Sequence, residues 1–326
     1  MHDIRIAAAQ FEARDADKDY NFGRIEELAQ RAVKQGAEIV SFHECCIPGY
    51  TFLEDLTRGR LEALAESVPD GPSTRRLVEL SDRLDVPLLA GLIERDGPKL
   101  YNTYVAVAPR RGLVARHRKI HAFVSEHLSG GDQLEVFELC GVRCGILICY
   151  DNNLVENPRI MALNGAEVIF APHVTCGLPS PMPGRGKIDK RLWDNRQRDP
   201  VPLRLQFEGP KGRGWLMRWL PTRAYENGLY YVFTNPVGVD HDTIKTGGAM
   251  VIDPFGEIIA ESRALGDDVV VGLCTPEKID LSGGRRYLKA RRPELYAKLS
   301  EPLPEGQKPE VNPGWRSTGS AQTSDS

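Results

Sequence analysis

No apolar run in the 326-residue chain approaches the roughly 18–20 residues that cross a bilayer. Charge of one sign is missing too: 42 Lys and Arg stand against 45 Asp and Glu, a net charge of −3. A main partner rich in phosphate selects a strong basic excess, so nucleic acid is excluded as the principal ligand. The amino terminus, Met1-His2-Asp3-Ile4-Arg5, has no basic segment followed by a signal-type apolar core. The expected location is the cytoplasm. Cysteine fits that compartment, because seven residues (45, 46, 140, 144, 149, 176 and 274) are an odd number without disulfide-framework spacing. No Cys-x-x-Cys pair occurs, which leaves a structural zinc site without support. The nearest metal-like pair, His173-x-x-Cys176, supplies only two ligands and reads as loop residues at a strand end. No repeat of 20–50 residues is visible.

What is present is an ordinary globular mixture, 41% hydrophobic and 27% charged, long enough for one large α/β unit or two smaller ones. Residues 4–10 read as a strand. Residues 18–35 follow with helical periodicity, stopped by Gly36, and 37–42 form a second strand. This β-α-β opening predicts parallel pairing, with Glu44 at a carboxyl strand end, where open α/β sheets carry their chemistry. A helix over 72–85 and a buried strand over 86–92 come next. Hairpin pairs are expected at 101–107 with 112–116, and at 134–139 with 142–148, the latter turning at Cys140-Gly141. Helix 156–163, strand 166–171, helix 214–227 and strands near 229–235, 247–252, 257–261 and 268–273 complete the pattern. Mixed β-α-β units and hairpins predict two sheets packed face to face with helices outside.

Two segments depart from this pattern. Residues 177–213 hold six Pro and nine Lys or Arg against four Asp or Glu, with few periodic apolar positions. A connection that long suggests either a lid or subunit contact, whose basic excess would favour an anionic substrate, or equally a solvated surface loop. From about Glu301 the chain is rich in Pro, Gly, Ser and Thr, as in a partly disordered tail or docking arm. The expected organisation is one domain over 1–300, containing that insertion, and a tail over 301–326.

Three residues stand out because each follows a strand: Glu44, Lys119 and Cys149. A thiol with an ordinary pKa near 8.5 is mostly protonated at neutral pH and needs a base to attack efficiently. Glu44 can take that proton. Lys119 can stabilise the oxyanion formed when sulfur adds to a carbonyl, with the backbone N–H of Tyr150 as a second donor.

The segments Phe42-His43-Glu44-Cys45-Cys46-Ile47-Pro48-Gly49-Tyr50, Arg116-His117-Arg118-Lys119-Ile120-His121 and Ile148-Cys149-Tyr150-Asp151 resemble the Glu, Lys and Cys motifs of the nitrilase superfamily of carbon–nitrogen hydrolases. Ala7-Ala8-Ala9-Gln10, Tyr101-Asn102, residues 164–169 and Arg223-Ala224-Tyr225-Glu226-Asn227 add secondary matches. The resemblance implies a four-layer αββα sandwich that dimerises to αββα-αββα, and catalysis with neither a metal nor an organic cofactor. It implies a homodimer or higher even-numbered homo-oligomer acting on a small molecule. It also implies a supporting role for Glu126, beside Lys119 or the substrate amide. Tyr50, Asp151, His173 and Cys176 are candidate pocket residues. Cys149-Tyr150-Asp151 resembles amidase branches, whereas nitrile-cleaving members usually show Cys-Trp-Glu. The downstream Leu154-Val155-Glu156 departs from the Phe-Pro-Glu that amidase branches often carry. The expected reaction is hydrolysis of a small amide or N-carbamoyl compound through a Cys149 thioester. A nitrilase and a catalytically silent scaffold of the same fold are the alternatives.

Overall fold

Alternation along the strands decides how the layers stack. In the first strand Ile4, Ile6 and Ala8 point to one core, while Ala7 and Ala9 point to another. A computed structural model describes residues 1–307. Its first half runs β1 (Ile4–Gln10), α1 (Lys18–Lys34), β2 (Ile39–Ser41), α2 (Arg58–Leu64), α3 (Pro72–Leu84), β3 (Leu88–Asp96), β4 (Lys99–Ala108), β5 (Gly112–Arg118), β6 (Val136–Leu139) and β7 (Val142–Ile146). The chain continues through α4 (Glu156–Leu163), β8 (Val168–Pro172), α5 (Lys190–Asp194), α6 (Val201–Glu208), α7 (Arg213–Leu216), α8 (Leu220–Asn227) and β9 (Tyr230–Thr234). It then forms β10 (Val237–Asp240), β11 (Thr243–Thr246), β12 (Met250–Ile252), β13 (Ile258–Glu261), β14 (Asp268–Cys274), α9 (Pro276–Leu281) and α10 (Gly283–Lys289).

Two six-stranded sheets result, in the orders β14-β1-β2-β3-β4-β5 and β13-β12-β9-β8-β7-β6. As the β-α-β opening requires, β1 and β2 are parallel, with Ile6 opposite Ile39. Parallel pairing recurs at β7-β8-β9. The inner faces meet through Ile6, Ile39, Leu89 and Tyr104 on one side and Ile146, Val168, Phe170 and Val232 on the other. The outer face of the first sheet is covered by Phe22, Ile25, Leu28 and Leu77 of α1 and α3. That of the second is covered by Met161, Leu220 and Ala224 of α4 and α8. The architecture is the αββα sandwich.

Three local expectations need correction. Residues 214–227 are not one helix: α7 and α8 are separate, because Trp219 leaves helical geometry (φ −141°) ahead of Pro221 in the first turn of α8. The strand expected from 247 starts at Met250, since Gly247 and Gly248 take left-handed φ values of 60° and 81°. Residues 177–213 are not a bare loop. Ile188, Trp193, Leu203 and Phe207 form a small core with Val237 and Ile244 of the β10–β11 hairpin, which the sequence reading also missed. Helices of five and eight residues are too short to display a period. The tail expected over 301–326 lies mostly outside the described residues. Among the described residues no helix is long and apolar enough to cross a membrane.

Close packing of β3 against the turn after β2 sets the position of Glu44. A Cβ on Gly91 would stand 2.2 Å from the backbone nitrogen of Cys45. Gly91→Ala is therefore expected to cost about 1–3 kcal/mol in overpacking. The urea midpoint measures it, and a variant as stable as the parent would contradict this contact.

Candidate active site

Glu44 sits three residues beyond β2, with no exposed surface. Tyr104 pins that strand end by accepting from Phe42 N at 3.1 Å and hydrogen-bonding Ser41 Oγ at 2.9 Å. From the opposite sheet, Thr234 Oγ1 donates to Phe42 O at 2.7 Å. The carboxylate is then met from three directions. Lys119 Nζ approaches Oε1 at 2.6 Å, Asn102 Nδ2 donates to Oε1 at 2.7 Å, and Val174 N donates to Oε2 at 3.0 Å.

Lys119 follows β5 and is 1% exposed. Its N–H donates to Asn102 O at 2.8 Å, so Asn102 holds both the backbone of Lys119 and the carboxylate that Lys119 faces. The ammonium also lies 3.4 Å from Tyr50 Oη and over the Phe123 ring, 4.7 Å from its centroid. Burial pulls its proton affinity down, but Glu44, Tyr50 and Cys149 together hold it well above the usual lysine range. It is an ammonium at any physiological pH.

Cys149 opens the 3-10 turn Cys149–Asn152 after β7 and adopts φ +49°, a left-handed conformation that non-glycine residues rarely take. This sharp elbow ends the strand and leaves Sγ 3.8 Å from Val174 O, with the residue 6% exposed. Burial first, and the Glu44 carboxylate second, push the thiol up to about 12 against the pull of Lys119. At rest it is a protonated thiol. Among the described residues the Tyr150 N–H, in the first turn after the elbow, has no protein acceptor. The structure thus brings together Glu44, Lys119, Cys149 and Tyr50.

The model of the carbon–nitrogen hydrolase family matches residues 5–281. The chain belongs to that family. It is 30% identical over 312 residues to an (R)-stereoselective amidase of a Pseudomonas species, covering 94% of this chain and 97% of the relative. An omega-amidase of Danio rerio is 28% identical over 310 residues, covering 91% and 98%. A protein named nitrilase from Pyrococcus abyssi is 28% identical over 271 residues, covering 82% and 88%. Among solved structures, a variant of the Nesterenkonia AN1 amidase from the nitrilase superfamily shares the fold. Its TM-score is 0.67 at 22% identity, over 91% of this chain and 97% of that one. The protein is a carbon–nitrogen hydrolase, which sets aside the silent scaffold.

In this hydrolase several candidate residues stand elsewhere than expected. Glu126 is exposed, in a run of turns after β5 that carries its side chain outward. The ammonium of Lys119 is met by Glu44 and Tyr50 instead. His173 is no mouth residue: its ring packs 4.9 Å from Phe233, and Nε2 lies 3.2 Å from Asn152 Nδ2. Cys176 is wholly buried in the core behind the second sheet. Asn102 was singled out only as part of a dipeptide match; an amide next to the long apolar run of β4 is the signal that could have found it. Cys45 donates to Asn102 Oδ1 at 3.4 Å and so turns the amide nitrogen toward Glu44. Among the described residues no group of three or more His, Cys, Asp or Glu is arranged to hold a metal.

Asp151 is the largest correction, since it is fully buried and lines no opening. Its Oδ1 accepts from His121 N at 2.9 Å and lies 2.8 Å from His121 Nδ1. Its Oδ2 accepts from Ile120 N at 3.2 Å and from Ile148 N at 3.3 Å. One carboxylate therefore clamps the chain just after Lys119 to the residue just before Cys149. Burial opposes its ionisation, yet the His117 imidazole 3.8 Å away and the hydrogen-bonded His121 hold it well below the usual carboxylate range. A depressed carboxyl contributes stability above its unfolded pKa, near 3.9, and loses it as pH falls further. Asp151→Asn should therefore be less stable than the parent at pH 7, with the gap narrowing below about pH 4. Its kcat should drop more than its KM changes. Urea titrations across pH and steady-state kinetics measure both, and a pH-independent gap would contradict the charged clamp.

Proposed function

We propose that this hydrolase cleaves the C–N bond of a small non-peptide amide or N-carbamoyl compound through a thioester on Cys149. The observation that carries the reading is the Glu44–Lys119 pair at 2.6 Å, set beside a thiol on a strained elbow. The near-complete burial of all three side chains supports a small substrate, for which little space is open.

With the thiol at about 12, proton removal and attack must be concerted. Glu44 takes the proton as sulfur adds to the carbonyl carbon. The oxygen becomes negative between the Lys119 ammonium and the Tyr150 N–H, where one such donor is worth on the order of 10²–10³ in rate. As the adduct collapses, Glu44 returns the proton to the nitrogen, the C–N bond breaks, and ammonia or an amine departs. A water molecule then gives a proton to Glu44 and its oxygen to the acyl carbon. The carboxylic acid leaves as sulfur regains its proton. Lys119 keeps its charge throughout, because its neighbours favour the ammonium.

A second reading, direct conversion of a nitrile to acid and ammonia, is kept open by the relative named nitrilase. The reading extends to one catalytic unit over residues 1–300, working in the cytoplasm as a homodimer or larger even-numbered homo-oligomer. Free cysteines support the compartment. Exposed Ile160, Tyr225 and Tyr287 on the outer helices support pairing through that layer.

The test incubates wild-type, Cys149→Ala and Glu44→Gln protein with amides, carbamoyl compounds and nitriles, measuring ammonia, acid and intact mass. Wild type should release ammonia and acid from amides, and Cys149→Ala should lose at least about 10³-fold. Glu44→Gln, which removes the base needed for the attack itself, should lose ammonia release as Cys149→Ala does and accumulate no acyl adduct. Amide turnover retained by Cys149→Ala would sink the mechanism, and acid formed from nitriles alone would favour the second reading.

A further inference from the structure

One buried amide spans the elbow that carries the thiol. Asn152, the last residue of the 3-10 turn Cys149–Asn152, has no exposed surface. Its Nδ2 donates to Leu147 O at 2.7 Å and to Cys149 O at 3.2 Å. Those carbonyls stand on opposite sides of the Cys149 N–Cα bond, about which the left-handed φ of 49° is set. Rotation of that bond toward ordinary values would swing one carbonyl away from the other, and a single nitrogen could no longer reach both. A non-glycine residue keeps such a conformation only where its surroundings over-determine it.

The amide in turn meets His173, whose Nε2 lies 3.2 Å from Asn152 Nδ2. With two carbonyls facing Nδ2, the amide cannot be turned over without setting Oδ1 against both of them. Nε2 therefore faces a donor and carries no hydrogen, which puts the proton of the neutral ring on Nδ1. Burial first, and the Lys119 ammonium second, push the imidazole down to about 3, so it is neutral at any working pH. Nδ1 is buried among the Phe233 and Trp219 rings and makes no hydrogen bond among the described residues. Buried polar groups in native proteins are nearly always satisfied, and one left unpaired lowers stability. An apolar ring in the same space would avoid that cost. What the histidine supplies instead is an acceptor for Asn152.

The place of His173 in the chain decides what that acceptor does. It follows β8 directly, and its N–H donates to Thr234 O at 2.8 Å. The next residue, Val174, donates its N–H to Glu44 Oε2, and its carbonyl accepts from Cys149 Sγ. One dipeptide thus holds the base and the resting thiol by its backbone, and the elbow by its side chain. The Asp151 clamp ties the elbow to the Lys119 segment, whereas the Asn152–His173 contact ties it to the segment that holds Glu44.

We propose that Asn152 and His173 are positioning residues that align the Cys149 thiol with Glu44 for proton transfer, and so set the rate of the chemical step rather than the binding of substrate. This rests on the reading of Cys149 as nucleophile and Glu44 as its base. A misplacement of the sulfur by about 1 Å costs on the order of 10²-fold in rate.

The test measures kcat and KM by ammonia release from butyramide, or from the panel compound that wild type cleaves fastest where butyramide is not turned over. His173→Phe keeps a ring in the same space without the acceptor, and should lower kcat by about tenfold or more with KM within about threefold. His173→Gln offers an amide oxygen where Nε2 stood, and should keep kcat within about threefold of wild type. Asn152→Leu removes the donor at similar volume and should lose about as much as His173→Phe. Urea titration establishes which variants are folded. An unchanged kcat in folded His173→Phe or Asn152→Leu, a loss carried by KM, or a loss in His173→Gln as large as in His173→Phe overturns the positioning role and leaves the hydrolase mechanism standing. Should one of His173→Phe and Asn152→Leu fail to fold, the other decides; failure of both overturns the inference by making the pair a requirement of the fold. No ammonia from any compound of the panel would overturn the hydrolytic reading and this inference with it.

Discussion

Placing Glu44 and Lys119 in the interior is the costly step around which the sandwich is arranged. Each ion carries an effective desolvation penalty of several kcal/mol, recovered only with excellent geometry and further hydrogen bonds. The sheets supply both. Lys119 arrives from β5, Asn102 from β4 and the Val174 amide from beyond β8, so the carboxylate is satisfied by both sheets at once. Tyr104 and Thr234 fix the strand end that carries it. Removing one partner would leave the other charged and buried. That asymmetry ties the position of the pair to the packing of the whole core.

The same pair determines how the thiol behaves. A lone ammonium beside Cys149 would favour the thiolate, but the Glu44 carboxylate opposes it and burial penalises any net charge. The sulfur therefore stays protonated, with Val174 O as its resting partner. An enzyme built this way holds no standing nucleophile. It creates one only when an oxyanion forms to meet Lys119 and Glu44 receives the proton in the same event. The left-handed elbow at Cys149 and the Asp151 clamp keep these groups in register.

Strand ends were the legible part of this chain. Glu44, Lys119 and Cys149 each stand just past a strand, and that signal survives in a single sequence. Helix Glu156–Leu163 was readable to the residue, with Pro158 in its first turn and Gly165 just past its end. The Cys140-Gly141 turn was readable as well, and both residues take positive φ. Long-range polar pairing was not legible. Asp151 looks like a pocket carboxylate until its partners, some 30 residues away, are in place, and Asn102 looks like one residue of a strand. The β10–β11 hairpin escaped because its strands are four residues each and its core partners lie in the inserted segment.

The insertion shows why a count of charges is a weak guide to a ligand. Four of its nine cations are spent locally: Lys187 pairs with Asp242, Lys190 with Asp194, Arg191 with Asp189 and Arg213 with Glu261. Exposed pairs of this kind contribute little and attract nothing specific. Arg185 and Arg196 instead lie partly buried over the Trp215 and Trp193 rings, without a carboxylate partner among the described residues. A cation in water is solvated whatever its surroundings, but one in the interior must find an opposite charge or raise the energy of the fold. The sum of charges in the segment is therefore uninformative about a ligand, because each cation is settled by its own surroundings.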